Sequence, residues 1–303
     1  MIAGLLTGAT GLLGARVVRE LGRRDEHWAV TRRGSSGPGL DDAAVEHAPG
    51  VDLTEPGSLL EWLGRERPRV VLHLAAAAAP ADCERDPDTT RRVNVEASRT
   101  LARTCQEHGL RFVLVSTDMV FGRDPSPETG FRERDEPTPV NEYGRQKLAA
   151  EEAVLDEADD VLVVRVPLLF GDSLGRGRGA TDALLAAWRR GETTPLFTDE
   201  LRTPLDLGST AAGLLELAAG QRRGRLHLGG PERLSRHELG EALRRRVNAP
   251  ASLVRTTSAA EIDPEGRRPR DCCLDSREAW STLSFTPPSL TEALEREAPE
   301  SLG

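Results

Sequence analysis

The chain contains one tyrosine and one lysine, and they stand four residues apart as Tyr143 and Lys147. A phenol can exchange a proton with a carbonyl oxygen, but its ordinary pKa of about 10 is too high for neutral pH. A cation one helical turn away stabilises the phenolate and lowers that pKa. Lys suits this position better than the bulkier Arg, because its compact ammonium can also reach a ribose hydroxyl. The pair therefore predicts proton transfer at a carbonyl; the alternative is an exposed Tyr and Lys on a helix surface.

A glycine-rich turn stands near the amino end. The apolar run from Ile2 to Thr7 predicts a buried strand, and residues 15–21 have helical spacing. Glycines between them let the backbone turn sharply and approach a pyrophosphate, which the amides and dipole of the helix N-terminus then hold. The pattern predicts a dinucleotide site that includes Gly8, Thr10, Gly11, Leu12, Leu13 and Gly14.

Strand and helix patterns alternate along most of the chain. This order predicts an α/β fold, a doubly wound (Rossmann) parallel sheet with helices on both faces and a small C-terminal substrate lobe. Predicted strands after the first cover residues 28–31, 45–47, 69–74, 111–116, 161–166 and 225–228. Predicted helices cover 86–108, 141–158 and 206–219. We expect a dinucleotide-binding domain of residues 1–170 plus about 203–228, and a substrate-binding lobe of about 171–202 and 229–303.

The end of the second strand bears on the choice of cofactor. NAD-selective sites usually place Asp or Glu there, to accept hydrogen bonds from the ribose hydroxyls. Here Arg32 and Arg33 follow Thr31, and no acidic residue occurs before Asp41. Arginines can form forked bonds to a 2'-phosphate; the alternative is two solvated side chains in an Arg-rich chain. Because the missing acid is an independent observation, we predict NADP(H).

The glycine turn and the Tyr–Lys pair together resemble the extended short-chain dehydrogenase/reductase family, in its sugar-nucleotide-handling branch. The resemblance runs nearly end to end. Within the branch, the chain resembles dTDP-4-dehydrorhamnose reductases and the regulatory subunit of methionine adenosyltransferase, which shares that ancestry. The matching segments are His73 to Ala76, Arg92 to Val95, Ser116 to Gly122, Pro139 to Gly144, Arg165 to Gly171, Arg202 to Pro204, Leu226 to Pro231 and Arg268 to Asp275.

The resemblance implies roles at the reacting centre. Tyr143 donates a proton as a nicotinamide hydride attacks the carbonyl carbon, and Thr117 hydrogen-bonds the developing alkoxide. Lys147 holds the cofactor ribose. Asn94 is implied to support Lys147 through a water, and the alternative is a polar helix residue that bonds the backbone. The predicted catalytic residues are therefore Tyr143, Lys147, Thr117 and Asn94.

The resemblance also extends the predicted cofactor site. Asp52 and Leu53 resemble an adenine-contacting pair after the third strand, although Asp52 is equally suited to a helix N-terminus. Ser116 is expected beside the cofactor rather than at the carbonyl. The additional predicted cofactor contacts are Arg32, Arg33, Asp52, Leu53, Ala75, Ala76, Ala77, Ser116, Tyr143, Lys147 and Pro167.

The predicted substrate contacts depart from the family pattern at Met119, where dTDP-4-dehydrorhamnose reductases usually carry Tyr. Met cannot hydrogen-bond a sugar in the same way, so the identity of the sugar stays open. Because Met119 also replaces the Glu that follows Asp in 4,6-dehydratases, dehydration is disfavoured. Among candidate diphosphate partners, Arg202 is preferred over Arg176 and Arg178, although each is also suited to a solvated surface. The predicted substrate contacts are Thr117, Asp118, Met119 and Arg202.

Composition narrows the class of protein further. The net charge of −9 provides no global field that would attract nucleic acid or an anionic membrane. No apolar run approaches the ~20 residues of a membrane helix, and the start has no basic and then apolar leader. The cysteines, at 83, 105, 272 and 273, lack metal-site spacing. We therefore expect a cytoplasmic protein with reduced thiols and no metal.

Two classes of function stay open. The first is an NADPH-dependent ketone reductase, with a 4-keto sugar nucleotide as the preferred substrate. The second is a cofactor-binding regulatory subunit that resembles that of methionine adenosyltransferase. The complete set of Thr117, Tyr143 and Lys147 favours the enzyme, although sugar-nucleotide epimerisation needs the same three residues. The expected partner is a small molecule rather than nucleic acid or membrane, and a homodimer stays open.

Overall fold

The computed structural model describes residues 2–31, 45–48, 52–175, 177 and 179–302. The chain forms two compact units. The first comprises Met1–Thr117, Glu142–Arg165 and Ala211–Leu226, and the second comprises Asp118–Asn141, Val166–Thr210 and His227–Gly303. Residues 118–141 thus belong to the second unit, whereas the sequence places them with the dinucleotide-binding residues. The functional division into a cofactor domain and a substrate lobe stays a prediction.

A seven-stranded sheet is the centre of the first unit as far as the structure describes it, and the pairs for which register is known are parallel. Its strands are β1 Gly4–Thr7, β2 Trp28–Val30, β3 Val45–His47, β4 Val70–His73, β5 Arg111–Thr117, β6 Val161–Val166 and β11 Gly224–His227. Their order is β11-β6-β5-β4-β1-β2-β3. The strand order reverses between β1 and β4, which is the place where open α/β sheets bind ligands at the carboxyl ends of their strands. The predicted doubly wound α/β class is confirmed.

Helices connect these strands and continue through the second unit. They are α1 Leu12–Leu21, α2 Gly57–Glu66, α3 Pro80–Arg85, α4 Pro87–Arg91, α5 Ala97–His108, α6 Glu142–Glu157, α7 Ala180–Arg189, α8 Leu207–Ala219, α9 Arg236–Arg246, α10 Ala259–Ile262, α11 Arg277–Trp280 and α12 Leu290–Glu297. The long helix predicted at 86–108 is present as α4 and α5, joined by a π-helical turn at Arg92–Glu96.

The core of the first unit fixes the helix that carries the Tyr–Lys pair. Leu5, Phe112 and Val163 project from the strands into a buried cluster, where they meet Ala150 and Val154 of α6. Apolar runs buried on both faces are typical of parallel strands. α6 also packs against α5, the π-helical turn and β5. The packing of the core therefore sets where the Tyr143–Lys147 pair of α6 lies relative to β5.

Short strands recur in the second unit, where the sequence shows only proline-punctuated and irregular segments. They are β7 Leu169–Phe170, β8 Thr194–Phe197, β9 Leu201–Arg202, β10 Leu205–Asp206, β12 Leu234–Ser235 and β13 Val254–Thr257. They pair as β7 with β10, β8 with β13 and β9 with β12. Strands of two to four residues carry too little alternation to be recognised from sequence.

The structure also bears on membrane-spanning helices, on the cysteines and on metal-binding groups. No helix in the described part of the chain is both long and apolar enough to cross a membrane. All four cysteines are free and buried. Among the described residues, no group of three or more His, Cys, Asp or Glu side chains is arranged to hold a metal ion.

Candidate active site

The glycine turn brings the start of α1 close to two strands. Gly8 has a φ of +76°, and a Cβ there would lie 2.7 Å from the backbone nitrogen of Ala75. A Cβ on Gly14 would lie 2.1 Å from the carbonyl oxygen of Gly8. Gly11 is the N-cap of α1 and provides no side-chain cap. The first amides of α1 therefore lack a side-chain acceptor, and the glycines let a pyrophosphate approach them, so these residues fit a dinucleotide.

The segment from Ala75 to Ala77 is held at the carboxyl ends of β1 and β4. The Thr7 hydroxyl lies 2.7 Å from Nδ1 of His73, and it accepts a hydrogen bond from the Ala75 amide at 3.3 Å. His73 is fully buried. Burial, and next the charge of Lys147, lower the pKa of His73 to about 3. A neutral imidazole therefore anchors the segment predicted to lie along the cofactor.

Asn94 lies in the π-helical turn, a distortion frequent at functional sites. Its Oδ1 accepts a hydrogen bond from the Ala77 amide at 2.8 Å, and its Nδ2 donates to the Ala77 carbonyl at 3.2 Å. The same Nδ2 donates to Oε1 of Gln146 at 2.9 Å. Asn94 thus ties the 75–77 segment to α6 next to Lys147. Its implied support of Lys147 through a water stays a prediction.

Tyr143 and Lys147 occupy successive turns of α6. Tyr143 is half-buried, whereas the Lys147 side chain is buried. Burial lowers the pKa of Lys147 to about 8, and the neighbouring charge of Glu151 opposes this shift. Within the described ranges the structure records no hydrogen bond or ion pair of the Lys147 ammonium. A buried ammonium of this kind fits a role in binding the hydroxyls of a cofactor ribose.

Thr117 is the last residue of β5 and is buried. Ser116 precedes it, and its hydroxyl donates a hydrogen bond of 2.5 Å to Oε1 of Glu151. Sequence reasoning placed Ser116 beside the cofactor and missed both Glu151 and Gln146. The usable signal was their position on α6, because Glu151 lies one turn beyond Lys147.

The predicted adenine and phosphate contacts are only partly described. Asp52 is exposed, and its Oδ1 accepts hydrogen bonds from the amide and the hydroxyl of Thr54. It does not cap α2, whose N-cap is Pro56. Leu53 packs against the core. Arg32 and Arg33, like Asp41, Arg176 and Arg178, lie outside the described residues.

The predicted substrate residues other than Thr117 belong to the second unit. Asp118 and Met119 form a 3-10 turn, and Nε of Arg202 lies 3.2 Å from Oδ2 of Asp118. Arg202 also donates hydrogen bonds to the carbonyls of Leu201, Pro269 and Arg270. The structure thus brings Asp118 and Arg202 together. Pro167, a predicted cofactor contact, is buried directly after β6.

Sequence reasoning missed a second basic residue in this unit. Arg236 is the first residue of α9, and its amide donates to the carbonyl of Glu200. Burial lowers the pKa of Arg236, and Glu200 opposes the shift. Glu200 itself pairs with Arg268 at 2.6 Å. Arg236 thus lies near Arg202 and Arg268, which are paired with Asp118 and Glu200 respectively.

The fold and this arrangement define a dinucleotide-binding α/β protein of the short-chain dehydrogenase/reductase type. The chain belongs to the RmlD substrate binding domain family, whose model matches residues 3–301. This membership confirms the predicted family and the oxidoreductase class that the family implies.

Individual relatives cover almost the whole chain. A probable low-salt glycan biosynthesis reductase, Agl14 of Haloferax volcanii, is 32% identical over 295 residues, which are 95% of each chain. Methionine adenosyltransferase 2 subunit beta of Bos taurus is 28% identical over 277 residues, which are 89% of this chain and 79% of that protein. The crystal structure of dTDP-4-dehydrorhamnose reductase from Bacillus anthracis, in complex with NADP, superposes with a TM-score of 0.81. It is 22% identical and covers 98% of this chain and 99% of that chain, so it supports the fold.

Proposed function

We propose that this protein is an NADPH-dependent reductase of a ketone on a sugar nucleotide, with a 4-keto sugar of the dTDP-4-dehydrorhamnose type as its substrate. The observation that carries the proposal is Lys147, a buried ammonium one turn after the single tyrosine of the chain. The similarity to two reductases, Agl14 of Haloferax volcanii and the dTDP-4-dehydrorhamnose reductase of Bacillus anthracis, supports it.

The cofactor proposal rests on the glycine turn and on the end of β2. Gly8 and Gly14 let the turn pack closely against Ala75 and the start of α1, and Gly11 leaves the first amides of α1 without a side-chain cap. The absence of an acidic residue directly after β2 favours NADP(H) over NAD(H), and the Bacillus anthracis neighbour binds NADP. When bound, the cofactor supplies the hydride.

Side chains of the protein supply the proton for the substrate oxygen and the positive charge beside the proton donor. Tyr143 donates its phenolic proton to the carbonyl oxygen of the substrate. Thr117 donates a hydrogen bond to the same oxygen, so that its developing negative charge is stabilised. Lys147 binds the ribose hydroxyls, and its positive charge favours the phenolate that remains on Tyr143. Asn94 and Gln146 hold the backbone and helix around this set.

The second unit would bind the nucleotide and the sugar. A diphosphate needs cationic partners, and Arg236 joins Arg202 as a proposed contact. Asp118 and Met119 are the proposed sugar contacts. Because Met119 offers a thioether, which accepts hydrogen bonds only weakly, we expect the sugar to be held mainly through apolar contact at this point.

A direct assay follows NADPH oxidation with dTDP-4-dehydrorhamnose and, in parallel, with simple ketones. Turnover of the sugar nucleotide, with the reduced sugar as product, is the expected result. Release of an epimer without net NADPH oxidation would assign the protein to the epimerases instead. Oxidation of NADPH by simple ketones alone would refute the substrate class.

A regulatory role is the second candidate, favoured by the similarity to methionine adenosyltransferase 2 subunit beta. This role predicts binding to a methionine adenosyltransferase catalytic subunit in a mixing experiment followed by gel filtration. A stable complex without reductase turnover would favour this second candidate. Cytoplasmic location and self-association stay predictions.

A further inference from the structure

The carboxylate of Glu151 joins three strands of the first unit to α6. It is fully buried. It accepts hydrogen bonds from Ser116 on β5 at 2.5 Å, from Nη2 of Arg165 on β6 at 2.7 Å and from Nε of Arg225 on β11 at 3.2 Å. These strands are neighbours in the sheet. One side chain therefore fixes where α6 lies along this part of the sheet.

Glu151 lies on the same face of α6 as the Tyr–Lys pair. Residues four apart lie above one another on a helix, so Tyr143, Lys147 and Glu151 form one row. Ser116, which Glu151 binds, is directly followed by Thr117. Glu151 thus connects the strand end that presents Thr117 with the row that presents the phenol and the ammonium.

The charge of Glu151 acts on Lys147 as well. Burial favours the neutral amine, whereas the carboxylate favours the ammonium. Arg165 and Arg225 offset part of this negative charge. The charge of Lys147 in turn helps to lower the pKa of His73, which is therefore neutral.

Two charged groups on the helices that pack against α6 are paired with residues of α6 other than Lys147. Glu84 of α3 pairs with Arg145, and Arg103 of α5 pairs with Glu157. The α6 carboxylate whose charge acts on the Lys147 ammonium is that of Glu151.

We propose that Glu151 is the positioning residue of this site, which ties Thr117 to the Tyr143–Lys147 row and holds Lys147 in its charged form. The effect of this role on kcat rests on the proposed reductase function. Its effect on the pKa of Lys147 does not, so the failure of one proposal can be told from the failure of the other.

The single lysine makes the titration direct. Protein grown with ¹³C-labelled lysine carries its one labelled side chain at Lys147, and the NMR shift of its Cε carbon against pH reports the pKa. We expect a midpoint about one pH unit lower in Glu151→Gln, because a neighbouring negative charge is lost. Arg225→Gln should raise the midpoint, because it removes a positive charge that is one-third exposed and tolerant of change. Glu157→Gln, which breaks an ion pair at the far end of the same helix, is the matched control and should leave it unchanged.

An unchanged midpoint in folded Glu151→Gln would overturn the electrostatic role. If Glu151→Gln does not fold, Arg225→Gln tests the electrostatic role instead. An unchanged midpoint in Arg225→Gln would then overturn that role.

The positioning role is read from the link between Ser116 and Glu151. Ser116→Ala removes the hydroxyl and should lower kcat about tenfold, with little change in KM, through a small displacement of Thr117. Ser116→Thr keeps a hydroxyl and should restore most of kcat. Equal kcat in the wild type and Ser116→Ala, or equal loss in both variants, would overturn this role.

Discussion

The guanidinium of Arg202 lies 3.2 Å from the carboxylate of Asp118, and both side chains are buried in the second unit. The sequence predicts each as a separate substrate contact. Because the two side chains are paired, a substitution of either one removes the charge partner of the other. An effect on substrate binding therefore has to be separated from an effect on folding.

Arg202→Met should lower the free energy of unfolding by about 3–5 kcal/mol, because the buried ion pair with Asp118 is broken. Removing both charges in Asp118→Asn with Arg202→Met should recover part of the loss. Urea denaturation measures both, and Arg190→Met, which breaks an exposed pair with Glu192, is the control. Full stability of Arg202→Met together with a raised KM would show that Arg202 serves the substrate alone.

Gly14→Ala should destabilise the first unit and weaken NADPH binding. The added Cβ would lie 2.1 Å from the Gly8 carbonyl oxygen, so α1 would have to move away from the turn. Gly57→Ala is the matched control, because it begins α2 with no atom within 4 Å of the added Cβ. Thermal melting and fluorescence titration with NADPH measure the two effects. Equal behaviour of both variants would contradict the close packing of the turn.

His73 should make the protein less stable in acid. Its pKa is about 3 in the folded protein and about 6.5 when unfolded, so between these values only the unfolded chain binds the proton. Stability is therefore lost as the pH falls through this window. His73→Asn should show a weaker dependence, with about one proton fewer taken up on unfolding. Parallel pH profiles of the two proteins would contradict a buried neutral His73.

Replacing Arg32 and Arg33 by Ala should weaken NADPH binding about ten- to a hundredfold and change NADH binding little, because a charge-assisted bond to the 2'-phosphate is lost. Quenching of tryptophan fluorescence measures both affinities, and Arg23→Ala, an exposed residue paired with Glu20, is the control. Equal weakening of both cofactors would assign these arginines to another role.

The sequence predicts those parts of the protein that depend on local pattern. Buried apolar runs identify most of the sheet strands, although not the exposed β3. The glycine turn and the Tyr143–Lys147 spacing identify the elements beside the site. The π-helical turn around Asn94, which packs against α6, has no sequence pattern of its own.

Long-range pairings could not be predicted in the same way. The bonds from Ser116 and Arg165 to Glu151, and the pair of Asp118 with Arg202, join residues between 14 and 84 positions apart. Thirty-nine arginines make each partner ambiguous until the fold brings them together. Arg236 was missed for this reason.

The proposed chemistry is tested most directly by the NADPH-dependent reduction of dTDP-4-dehydrorhamnose by the wild type and by Tyr143→Phe. The substitution removes one hydroxyl from the single tyrosine and leaves the glycine turn intact. We predict unchanged NADPH binding and a loss of kcat of at least ~10²-fold, the scale of a general acid. Equal turnover by the two proteins, or none by the wild type, would contradict the proposed function.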